Sequence, residues 1–131
     1  MTSLTAFAQD DNYNPDLNFA QVKSARLVYR SDGRWDVHVA VRHKDEGWNH
    51  YANIWQVVNA DSGELIGERI LAHPHDTEQP FTRSLSGMVI PEGVRNIRIR
   101  ARCNLHEYGG REISFEIPAN ITKGSYSVVL D

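Results

Sequence analysis

Alternation of apolar and polar side chains, with no helical period anywhere, most limits what this chain can fold into. In Trp35-Asp36-Val37-His38-Val39-Ala40-Val41-Arg42-His43, residues Trp35, Val37, Val39, Val41 and His43 fall on one face, because successive side chains of a strand point to opposite sides. Asp36, His38 and Arg42 fall on the other face, so His38 is expected to meet water.

Extended segments of the same kind are read at Ala25 to Arg30, Ala52 to Val58, Leu65 to Ala72, Phe81 to Ile90, Val94 to Cys103, Ile113 to Ile117 and Tyr126 to Leu130. Turn chemistry separates them at Ser31-Asp32-Gly33-Arg34, Asp61-Ser62-Gly63-Glu64 and Pro91-Glu92-Gly93, where glycine and short polar residues allow a tight reversal. Seven to eight short strands at this spacing predict an all-β fold, an immunoglobulin-like antiparallel β-sandwich. No internal repeat, linker or low-complexity tract interrupts it.

The 131 residues make one domain with room for an ordinary core. We divide them into a flexible tail over 1–21 and a sandwich over 22–131. A single cysteine excludes an internal disulfide. The net charge of −3 and pI near 6.0 give no global reason to expect nucleic acid. No apolar run is long enough for a membrane-spanning helix.

Ala6-Phe7-Ala8 is like the end of a signal peptide, but the basic start and apolar middle of one are missing. The reading therefore favours the cytoplasm and keeps the periplasm open. Asp10 to Asp16 alternates acidic and amide side chains as a calcium loop does. Pro15 stands where such a loop needs glycine, and Gln21 where it needs glutamate, so a solvated tail is expected.

Chemistry is concentrated in Cys103-Asn104-Leu105-His106, which ends the alternating run Ile97-Arg98-Ile99-Arg100-Ala101-Arg102. His43 ends one strand and His50 precedes another. In a sandwich, strand ends distant in sequence meet at one pole, so all four side chains can share it. A thiolate among neutral imidazoles suits iron, zinc or copper rather than magnesium or calcium. One thiolate, rather than two to four, favours redox metals over structural zinc. The plain alternative is a buried cysteine acting as a small apolar residue, with histidines that hold nothing.

His43 through His50, then Tyr51, Trp55, Val57 and Val58, and downstream Cys103-Asn104-Leu105-His106, resemble the superoxide reductase (desulfoferrodoxin) family. The resemblance implies a mononuclear non-haem iron held by equatorial histidines and one axial cysteine on an immunoglobulin-like sandwich. It makes His43, His50 and His106 equatorial ligands and Cys103 the axial thiolate. It further implies superoxide as substrate and an electron-donor protein as partner.

The chain departs from the family in several places. The His43 to His50 interval is longer by one residue, and His73-Pro74-His75-Asp76-Thr77-Glu78-Gln79 reads as inserted. The family's first histidine has no counterpart; Lys23 stands near its place and would offer a positive charge to superoxide. Glu107 replaces a glycine after the last histidine. His73 or His75 is the candidate replacement for the missing ligand, since an extended backbone at His-Pro-His turns two rings in a similar direction.

Copper of the cupredoxin type is the lesser option, because such sites add a methionine soon after the histidine and only Met1 and Met88 exist. From another class comes a non-catalytic sandwich that keeps the fold without a complete iron site. Arg98, Arg100 and Arg102, with Arg95 nearby, would then form a basic stripe for an anionic partner. The plainer expectation for such a stripe is pairing with neighbours such as Glu112 and Glu116. Trp48 and Tyr108, beside Gly47 and Gly109-Gly110, are either a sticky loop surface or a cap on the core. Self-association stays open, and hydrolase elbows and phosphate-binding glycine loops are absent.

Overall fold

The computed structural model of the protein describes residues 2–3, 18–75, 78–106, 108–118, 121 and 123–129, the side chains of 2–3 and 127–129 excepted. The strands are β1 (Thr2–Ser3), β2 (Gln21–Tyr29), β3 (Trp35–Arg42), β4 (Ala52–Asn59), β5 (Leu65–Ile70), β6 (Phe81–Met88), β7 (Asn96–Cys103), β8 (Ile113–Glu116) and β9 (Gly124–Val129). No helix occurs among the described residues.

Two sheets form, one ordered β1-β9-β2-β3-β6 and the other β5-β4-β7-β8. Every neighbouring pair is antiparallel except β1 with β9. The hairpins β2–β3 and β4–β5 turn at Gly33 and Gly63, whose φ values of 82° and 80° lie in the left-handed region that glycine adopts without steric cost. The all-β sandwich expected from the alternation is the fold observed.

The inward faces supply one continuous core. Val37, Val39 and Val41 of β3 and Leu27 of β2 meet Trp55 and Val57 of β4, Ile97 and Ile99 of β7, and Ile113 of β8. Two bulges shift the period of two. In β2 the register slips between Val22 and Ser24, so Val22, Ala25 and Leu27 are all buried although they differ in parity. Opposite Trp35 and Val37 the register of β6 slips near Gly87, which brings both Leu85 and Met88 inward.

Strand bounds differ from expectation at several ends. β2 begins at Gln21 rather than Ala25, because the bulge hides its first turns of alternation; β5 stops at Ile70 and β6 at Met88. Of the expected tail, Thr2–Ser3 pair with β9, and Asn18 to Ala20 lie against the body of the domain. The Ala6-Phe7-Ala8 step and the Asp10 to Asp16 stretch lie outside the described residues, as do Asp76, Glu107 and Leu130.

At one pole β3 ends just before His43, β4 starts just after His50 and Tyr51, and β7 ends on Cys103, which pairs with Ala52. The alternation that builds the core thereby delivers three chemically active side chains to one place.

Candidate metal centre

His43, His50 and Cys103 are all buried, and their ligand atoms lie within 4.8 Å of one another. The two rings meet edge to face with centroids 4.7 Å apart. His106 flanks the group: its Nδ1 is 3.2 Å from Cys103 Sγ, and its ring stands 5.0 Å from that of His50. The expectation of a shared pole is thus met for all four residues, with His106 at the partly exposed rim.

Carboxylates orient both buried rings. His43 Nδ1 donates to Asp45 Oδ1 at 2.5 Å, and His50 Nδ1 donates to Glu46 Oε1 at 2.9 Å. With the proton on Nδ1, a neutral imidazole carries its lone pair on Nε2. Both Nε2 atoms face the cluster, where they lie 3.0 Å and 3.4 Å from the main-chain oxygen of Asn18. Cys103 Sγ stands 3.5 Å from that same oxygen.

The local chain explains this placement. Glu46 N donates to His50 O at 2.7 Å across a tight loop in which Gly47 has φ 73°. Asp45 accepts from His43 Nδ1, from Ala52 N at 3.1 Å and from His75 N at 2.6 Å. Burial alone would raise the Asp45 carboxyl, but the His43 ring and the His75 and Ala52 amides outweigh it and hold it below the ordinary 3.8. Glu46 is likewise held low, chiefly by the His50 ring.

Cysteine and the last histidine form a compact loop. His106 N donates to Cys103 Sγ at 3.1 Å, which closes the loop on the sulfur. Asn104 fastens this loop to the one carrying His50: its Oδ1 accepts from Tyr51 N at 2.8 Å and its Nδ2 donates to Trp48 O at 3.1 Å. Trp48 and Leu105 stay exposed beside it, at 65% and 63%.

The loop between β5 and β6 backs the cluster through Asp45 and His43. His75 is buried, stacked on Phe81 at 3.8 Å, and its Nε2 accepts from Arg83 Nη2 at 2.8 Å. It therefore stands behind Asp45 and outside the cluster, and His73 is exposed beside it with ring centroids 4.6 Å apart. Gln79 links this loop to the ligand strand, accepting from His43 N at 3.0 Å and donating to His75 O at 2.8 Å. Lys23 occupies the bulge of β2 and is half-buried.

Two arginines of the stripe, Arg98 and Arg100, are engaged by neighbours. Arg100 donates twice to Gln56 Oε1, at 3.1 Å and 2.9 Å, and its guanidinium lies 4.1 Å over the Tyr108 ring. Arg98 pairs with Glu112 at 3.6 Å. Tyr108 is partly covered, its hydroxyl pushed up by burial, whereas Trp48 remains open.

Sequence reasoning missed Asn18, Asp45 and Glu46, and gave Asn104 no role beyond its place in the Cys103 to His106 motif. The signal for two of them was present: a carboxylate two residues after His43 and another four residues before His50.

The donor set of two imidazole Nε2 atoms and one thiol, each imidazole oriented by a carboxylate, fits a borderline-soft transition metal. No protein-family model matches the chain, and no solved structure does. A protein of Halomicrobium mukohataei named "Putative lipoprotein" is 31% identical over 121 residues, covering 92% of this chain. The chain spans 59% of that relative's length.

Proposed function

We propose that this chain is a metal-binding redox protein resembling superoxide reductase, with His43, His50, Cys103 and His106 holding a mononuclear non-haem iron. The observation that carries the reading is the convergence of His43, His50 and Cys103 within 4.8 Å, both rings turned inward by carboxylates. Bound there, iron would supply one electron to superoxide, which with two protons leaves as hydrogen peroxide, and an electron-donor protein would restore the electron.

The chain's own part is to hold and tune. Asp45 keeps the His43 proton on Nδ1 and the opposite nitrogen free to ligate; Glu46 does the same for His50. The His106 amide holds the Cys103 sulfur in position. His43, His50 and Cys103 are buried, whereas His106 is partly exposed and is the member of the group that solvent reaches most readily.

Protein made with iron supplied should contain about one iron per chain and lose it in Cys103→Ala, as read by metal analysis of the fresh protein. An empty chain that shows no spectral change on adding ferrous iron would sink the reading. Rapid mixing of the reduced protein with superoxide should give transient visible absorption and peroxide.

A further inference from the structure

We infer that the main-chain carbonyl oxygen of Asn18 is a ligand of the same metal, delivered by the segment just before β2. This inference rests on the metal-binding reading above and deepens it by adding a hard oxygen to the nitrogen and sulfur donors.

Three ligand atoms converge on that one oxygen: His43 Nε2 at 3.0 Å, His50 Nε2 at 3.4 Å and Cys103 Sγ at 3.5 Å. A carbonyl oxygen offers two lone pairs, so it cannot serve all three neighbours equally as a hydrogen-bond acceptor. A cation seated among the four atoms would be met by each of them.

Neighbouring donors on one ion, with bonds of about 2.1 Å to nitrogen or oxygen and about 2.3 Å to sulfur, lie roughly 3.0–3.6 Å apart in four- to six-fold coordination. The Asn18 oxygen stands 3.0–3.5 Å from His43, His50 and Cys103, and those three, within 4.8 Å of one another, would draw together around an ion.

The segment is also fastened. The Phe19 ring lies 5.4 Å from the His106 ring and against Gly109, where an added Cβ would meet its ring atoms at 2.5 Å. Gln21 Nε2 donates to Phe19 O at 3.3 Å, while Gln21 Oε1 accepts from Arg111 N at 2.6 Å. Val22 N donates to Arg111 O at 2.8 Å. The carbonyl is held in position by neighbours on the ligand-bearing loop itself.

The sequence contains a single Asn-Phe step, Asn18-Phe19. Protein carrying carbon-13 at asparagine carbonyls and nitrogen-15 at phenylalanine amides therefore gives one carbonyl–amide correlation, reporting Asn18 alone. One equivalent of zinc(II), a diamagnetic substitute for ferrous iron, should shift this carbonyl signal together with the ring nitrogens of His43 and His50. Asn18→Ala, which keeps the carbonyl, should bind zinc within about twofold of the parent, against the 10–100-fold loss typical when a group supporting a metal site is removed. A carbonyl signal unmoved while the ring nitrogens shift would overturn the inference and leave the metal reading standing. A large loss of affinity in Asn18→Ala would also overturn it, by assigning the contact to the side chain. Failure to bind zinc or ferrous iron at all would overturn both.

Discussion

Asp45 Oδ1 and His43 Nδ1 meet at 2.5 Å with both side chains fully buried. The other carboxylate oxygen takes the His75 amide at 2.6 Å, so one acid links a candidate ligand to the loop between β5 and β6. Asn in its place keeps one acceptor and turns an amide N–H₂ toward a backbone N–H. Asp45→Asn should weaken metal binding by about 10–100-fold and lower stability by roughly 1–3 kcal/mol. Competition with a chelator and urea unfolding measure the two effects.

Gly110 lies where an added Cβ would collide with the backbone carbonyl of Ala20, which cannot swing aside as a side-chain tip can. Gly110→Ala should therefore cost about 1–3 kcal/mol and loosen the Asn18 to Ala20 segment. Urea unfolding gives the first effect, and faster amide exchange at Phe19 and Ala20 gives the second. At Gly33 nothing stands within 4 Å, but φ is +82°, so Gly33→Ala should cost roughly 1–2 kcal/mol with no change in exchange at Phe19.

Asp36 predicts an acid-sensitive hairpin. Its Oδ1 accepts from Gly87 N and Ser86 Oγ, each at 3.0 Å, and from Arg30 at 3.2 Å. The Gly87 amide is the largest cause holding the carboxyl below its ordinary 3.8; burial opposes it, and Ser86 and Arg30 add to it. A carboxyl lowered by folding contributes stability that is present above the ordinary value and lost as pH falls through the lowered one. Asp36→Asn should flatten the fall in stability below about pH 4, as followed by thermal unfolding from pH 6 to pH 2.

Ile99, fully buried in β7, belongs to the core and touches none of the candidate ligands in any contact described above. Ile99→Ala should destabilise the domain by about 2–5 kcal/mol yet leave metal stoichiometry unchanged at a temperature where the variant is folded. Unfolding and metal analysis on the same sample check both halves.

The sandwich was legible because Trp35, Val37, Val39 and Val41 alternate without interruption, and His43 and Cys103 could be located because they end such runs. Where a bulge changes parity, as at Lys23, the period breaks and the start of β2 was read four residues late. Asn18 was unreadable in principle: the contacts that bring it to the cluster come through its carbonyl, which every residue possesses. His75 illustrates a different limit. Its ring chemistry suggested a ligand, but its placement follows from the stacking on Phe81 and the Arg83 hydrogen bond, both set by tertiary packing. Asp45 and Glu46 could have been found by asking what orients each histidine.

His43 follows a strand of the larger sheet, whereas Cys103 ends a strand of the smaller one. An ion gripped by both would act as a rivet between the two layers of the sandwich. Its contribution grows with supply, reaching about 2.7 kcal/mol when free metal exceeds its dissociation constant a hundredfold. The durability of the folded chain would then rise and fall with the metal its surroundings hold.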